Sequence, residues 1–269
     1  MAAAVEAALR RQRAVTVAAL AILTLLAWIW LLLGAGMGMA PQASLHLFPD
    51  APSGAMADMP GMAVAPAGWT AAQLVIAVSM WWVMMVAMML PAAAPVILLY
   101  ARVGGTDEGA RAATGSFVIG YLAVWALFSL AAASLQDALQ RAGALAPMTM
   151  DASARWLFAA ILILAGLYQL SPLKEACLGR CRNPAAFLSR HYRPGRAGAL
   201  RMGAIHGAFC LGCCWLLMAL LFVGGVMNLA WIALLSLLVA AEKLLPGGRW
   251  IARAAGLAFI AWGAWAALV

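Results

Sequence analysis

Charge is what this sequence has least of. Only 10% of its 269 residues are Asp, Glu, Lys or Arg, while 67% are hydrophobic. A soluble domain carries about 25% charged residues to cover its surface, so an ordinary water-soluble globular protein is excluded. Acids are the scarcer sign, nine against seventeen bases, and histidine occurs three times. The apolar runs lack the period-2 alternation of a transmembrane barrel. Five cysteines do not make a disulfide framework, since an odd number leaves at least one thiol over. No Cys-x-x-Cys-His stretch occurs, which argues against covalent haem.

What is present is a series of long apolar runs. Lipid offers no water to free backbone groups, so spanning segments without barrel alternation must be helices. About 20 residues cross about 30 Å of hydrocarbon. Runs of that order lie at about 14–34, 70–100, 112–135, 155–170, 202–227, 228–245 and 250–269. The expectation is an all-α polytopic membrane protein of about seven transmembrane helices. It divides into an N-terminal anchor helix with an outside loop (1–69) and a six-helix membrane domain (70–269).

The bases order these spans. Fifteen of the seventeen fall on one side: Arg10, Arg11 and Arg13 before the first span, Arg102 and Arg111 after the second, the run from Lys174 to Arg201, and Lys243, Arg249 and Arg253. Arg141 and Arg155 alone fall on the other. The positive-inside rule then places the N-terminus in the cytoplasm and the C-terminus outside. The net charge of +8 is thereby assigned to an anionic lipid surface, not to nucleic acid. The first run exceeds a signal-peptide core of about 7–15 residues and reads as an uncleaved anchor.

Ionisable groups inside a span are expensive and mark function. His206, Cys210, Cys213 and Cys214 share the fifth span. At about 100° per residue, and with His206 at 0°, the cysteines fall near 40°, −20° and 80°, one arc of roughly 100°. Gly203 and Gly207 fall on the same side, where small residues let a second helix approach. The arc therefore faces the bundle interior. Imidazole and thiolate suit zinc, copper(I) or iron. The plainer reading treats cysteine as a small hydrophobe in a tight interface. Cys213 and Cys214 diverge by about 100°, so both need not serve one ion.

Three other groups extend this pattern. Met80, Met84 and Met88 form a stripe ahead of Pro91 and Pro95, which are expected to kink the second helix. Thioethers bind copper(I) without adding charge, although methionine also packs adaptably. Cys177 and Cys181 follow the fourth span at a helical spacing and fit hand-off of metal at the cytoplasmic mouth. Glu242 and Lys243 close the sixth span, as an internal pair or as side chains snorkelling to the interface. The outside loop carries Met37, Met39, His46, Asp50, Met56, Asp58, Met59 and Met62, a set suited to capturing copper or to nothing beyond a linker.

Four stretches resemble a bacterial family known as predicted metal-binding integral membrane proteins. They are Trp82-Val-Met84-Met85-Val-Ala-Met88-Met89-Leu-Pro91, Gly166-Leu-Tyr-Gln-Leu-Ser-Pro172-Leu-Lys174-Glu-Ala-Cys177, His206-Gly-Ala-Phe-Cys210-Leu-Gly-Cys213-Cys214-Trp215 and Glu242-Lys243-Leu-Leu-Pro246-Gly-Gly. The resemblance implies metal binding and names neither ion nor reaction. The expected function is a bacterial inner-membrane protein holding copper or zinc in uptake, delivery or metallation of a partner. His206, Cys210, Cys213 and Cys214 are the candidate ligands, with Met84, Met88, Cys177 and Cys181 in support. A metallochaperone or membrane complex is the expected partner. The alternatives are a thiol oxidoreductase using Cys210 and Cys213, a metal-dependent oxidase, and an assembly subunit without chemistry.

Overall fold

The computed structural model describes residues 2–35, 68–105, 107–145, 152 and 154–268. The Met/His-bearing loop from Met37 to Met62 lies outside the described residues. Ten helices follow in chain order: α1 Ala2–Leu32, α2 Ala71–Gly104, α3 Glu108–Arg141, α4 Arg155–Gln169, α5 Pro172–Arg182, α6 Pro184–His191, α7 Gly195–Ala219, α8 Leu221–Gly224, α9 Leu229–Leu244 and α10 Gly248–Leu268. Among the described residues there is no strand, only an isolated bridge between Leu145 and Ala152.

Local chemistry sets the helix boundaries. Thr70 opens α2 with a capping box: its hydroxyl accepts from the Gln73 amide, and the Gln73 side chain accepts from the Thr70 amide. The Asp107 carboxylate accepts from Ala110 N at 2.7 Å to open α3. Ser171 caps α5 and Asn183 caps α6, each followed by proline at the first helical position, where the missing N–H is not needed. α2 runs through Pro91 and Pro95 as a single helix of 34 residues.

Among the described residues, five helices are long and apolar enough to cross a membrane. They are α1 over Leu9–Leu32, α2, α3, α7 continued by α8, and α10. α4 and α5 together make a sixth candidate, bent by 63° at the break between them. Of the seven expected spans, the fourth and sixth are the short ones. α4 has 15 residues and α9 has 16, about 23 Å each at 1.5 Å per residue. Both end at buried polar side chains, Gln169 on α4 and Glu242 with Lys243 on α9.

Glycines bring the central helices together. A Cβ at Gly203 would lie 1.9 Å from the Phe117 carbonyl oxygen, and one at Gly120 would lie 2.1 Å from that of Leu200. α3 and α7 therefore touch backbone to backbone, as the small residues on the cysteine side of α7 predict. α4 and α10 meet in the same way, at Gly166 against the Gly256 carbonyl. Gly203→Ala is expected to force α3 and α7 apart and destabilise the fold by at least the ~1–3 kcal/mol of an overpacked core. Thermal unfolding in detergent measures this, with Gly115→Ala as control, since nothing lies within 4 Å of a Cβ there.

Candidate metal centre

α7 lies among α2, α3, α5 and α9, and its inward arc carries the sulfur. Cys210, Cys213 and Cys214 are each 1% exposed and His206 is 3% exposed. The thiols of Cys213 and Cys214 both turn back onto the carbonyl of Cys210, donating at 3.1 and 2.9 Å. Two sulfurs that diverge at their Cα atoms are thereby gathered over one oxygen. The sequence reading that kept them apart took helix angle alone. Side-chain rotation closes the gap.

Neighbouring helices complete the cluster. From α2 the sulfur of Met89 lies 3.9 Å from the Cys214 thiol. From α3 the Tyr121 hydroxyl donates to the Met89 carbonyl at 3.0 Å and lies 3.1 Å from the Cys210 sulfur. From α9 the Lys243 ammonium donates to the Cys210 sulfur at 2.9 Å. From α5 the Cys181 thiol lies beside that of Cys213, and the Cys177 sulfur packs against Gly212, 3.0 Å from where a Cβ there would stand. All five cysteines are free thiols. Cys177 and Cys181 are half-buried, so the sulfur runs from the more accessible face of α5 to the enclosed face of α7.

A second buried polar group stands beside the first. Glu242 takes the Lys174 ammonium at 2.6 Å and the Gln169 amide at 2.7 Å, and Lys174 also donates to Gln169. Both charged side chains are 2% exposed. Adjacent residues of α9 thus face opposite ways, Glu242 towards α4 and α5, Lys243 towards α7. Lys243 does not snorkel. A buried amine or ammonium needs a polar partner, and the Cys210 sulfur is the one it reaches.

The other expected residues are placed differently. Met84 and Met88 are buried on α2, but the methionine that reaches the thiols is Met89. His206 sits among the rings of Phe117, Tyr121 and Phe187, with centroids 6.2, 5.8 and 5.1 Å away. Its Nδ1 is buried without a hydrogen-bond partner. Among the described residues no three His, Cys, Asp or Glu donors are drawn together as a metal-binding group. The thiols are instead engaged with Lys243, Tyr121, one another and the Cys210 carbonyl. The sequence reading did not name Tyr121, and it held Met89 and Lys174 within the resembling stretches, without a role at the site. Buried Tyr and Lys inside apolar runs were the signal available for them.

The described residues thus form a helical bundle with several helices apolar enough to cross a membrane, and a buried sulfur cluster beside a buried lysine. The chain belongs to the PpoB2 copper chaperone family, whose model matches residues 78–266. That match takes in the sulfur cluster, Lys243 and Met89, and leaves α1 out. No curated protein and no solved structure matches the chain.

Proposed function

We propose that the chain is a copper(I) chaperone of the bacterial inner membrane that holds its cargo on two of the buried thiols of Cys210, Cys213 and Cys214, with Met89 as a thioether ligand. The observation that carries this reading is Lys243 at 2.9 Å from Cys210 inside a patch of three buried thiols. Copper(I) on two thiolates carries one negative charge. The Lys243 ammonium cancels it, and the loaded site is neutral where charge is most expensive. Zinc favours four N, O or S ligands in a tetrahedron, which no described set offers, whereas thiolates and thioethers suit copper(I).

In this reading Cys181 and Cys177 pass copper between the α7 thiols and the basic face of the protein. Met84 and Met88 act as secondary soft ligands along α2, and His206 is a reserve ligand one turn from Cys210. The basic face is cytoplasmic. The bent pair α4–α5 and the short α9 count as crossings, which gives seven. The partner is a copper carrier or a copper enzyme awaiting its metal.

Metal analysis of detergent-purified protein beside Cys210→Ser/Cys213→Ser tests the reading. The expected result is about one copper per chain, lost in the variant, the two changes together removing two of the three buried thiols of α7. A full copper complement in the variant would overturn the ligand assignment. The contact between Cys181 and Cys213 also suits thiol exchange. A disulfide there in freshly isolated protein, with no copper bound, would decide for that second reading.

A further inference from the structure

On the far side of α2 from the thiols, a cleft of about 720 Å³ opens between α1, α2 and the end of α9. Its floor is apolar, built from Pro91, Ala94, Pro95, Leu98 and Leu244. Its mouth is basic, with Arg10, Arg13 and Arg102. Arg10 pairs with Glu6 at 2.6 Å. Among the described residues neither Arg13 nor Arg102 has an acidic partner. Gln12 lines the neck and is 8% exposed. Its Nε2 donates to the Ala101 carbonyl at 3.0 Å, while its Oε1 is buried with no partner.

These features describe an amphiphile. Two arginines without counter-ions fit a phosphate. The apolar floor fits a chain. Length agrees as well. Pro91 lies eleven residues from Arg102 along α2, about 16 Å at 1.5 Å per residue, or half of the ~30 Å hydrocarbon thickness. The cleft is one leaflet deep.

We propose that this cleft binds one anionic phospholipid. Its phosphate lies on Arg13 and Arg102, and an acyl chain lies along the floor. The inference rests on the membrane reading above. None of these residues belongs to the thiol cluster, so the lipid site and copper loading are separable.

The test is mass spectrometry under native conditions on delipidated full-length protein given phosphatidylglycerol or phosphatidylcholine with the same chains. The expected result is one phosphatidylglycerol retained per chain in preference to phosphatidylcholine. That preference should fall roughly 10- to 30-fold in Arg13→Gln/Arg102→Gln, from two basic contacts at an anionic surface, with copper content unchanged. Ala94→Trp, which fills the floor, should expel the lipid while leaving the arginines in place. Equal retention of the two lipids, or retention unaffected in both variants, would overturn the proposal. Displacement by inorganic phosphate as effective as by lipid would also overturn it, by making the site one for free phosphate. Carbonate extraction of membranes reads the membrane placement separately. Release of the protein would refute that reading, and firm retention without phosphatidylglycerol preference would refute only the lipid site.

Discussion

Lys243→Met is expected to give a folded protein that has lost its hold on copper. The ammonium is buried and its partner is the Cys210 sulfur at 2.9 Å. Removing it deprives the copper(I)–dithiolate unit of the cation that touches a thiol, which leaves a net charge in an apolar core. Breaking a buried pair costs about 3–5 kcal/mol, and at 1.4 kcal/mol per decade affinity for copper(I) should fall at least 100-fold. Without copper the effect is absent. With Lys243 gone and no copper bound, Cys210 takes up a proton and stays neutral, so no charge is stranded and the thermal midpoint of the copper-free variant should hold. Competition with a copper(I) chelator in detergent, run beside a melting curve, separates the two effects. Unchanged affinity would remove Lys243 from the site. Low affinity with a collapsed melting curve would make its role structural.

Glu242→Gln is expected to damage the fold more than any single change at the thiols. Glu242 balances Lys174 at 2.6 Å, and both side chains are 2% exposed. Neutralising the carboxylate strands the Lys174 charge in the interior, where loss of one partner costs about 3–5 kcal/mol. The companion change Lys174→Met, neutral alongside Glu242→Gln, should recover most of the loss. A double-mutant cycle by thermal unfolding isolates that coupling. Additive losses would show that the pair contributes little. Copper content should follow folded fraction here, unlike at Lys243, although the two side chains leave adjacent residues of α9.

The helices were legible because long apolar runs without period-2 alternation leave little besides helix. Runs at about 70–100 and 112–135 became α2 and α3, each longer at both ends or one, and 250–269 became α10. The short α4 and α9 were legible as apolar runs, but not as helices that stop at buried charges. Lys243 precedes Leu-Leu-Pro-Gly-Gly, a pattern that reads as a helix end at the water interface. Only packing against α7 shows where that end is seated. For Met89 the reason is different. Met80, Met84, Met85, Met88 and Met89 are each at most 1% exposed, so α2 is covered on all these faces and its periodicity points nowhere in particular. The cysteine arc was legible from spacing. The gathering of Cys213 and Cys214 over one carbonyl was not, because it depends on rotamers and not on the positions of Cα atoms.

That gathering, together with Lys243, sets the proton stoichiometry of loading under the copper reading. The Lys243–Cys210 pair holds the same number of protons whether drawn as ammonium and thiolate or as amine and thiol. Copper(I) that takes Cys210 and Cys214 therefore expels a single proton, the one Cys214 donates to the Cys210 carbonyl. A two-thiol site without the lysine would expel two. Exchange of one cation for one proton leaves the buried charge unchanged at every stage, and acidity weakens the grip by tenfold per pH unit rather than a hundredfold.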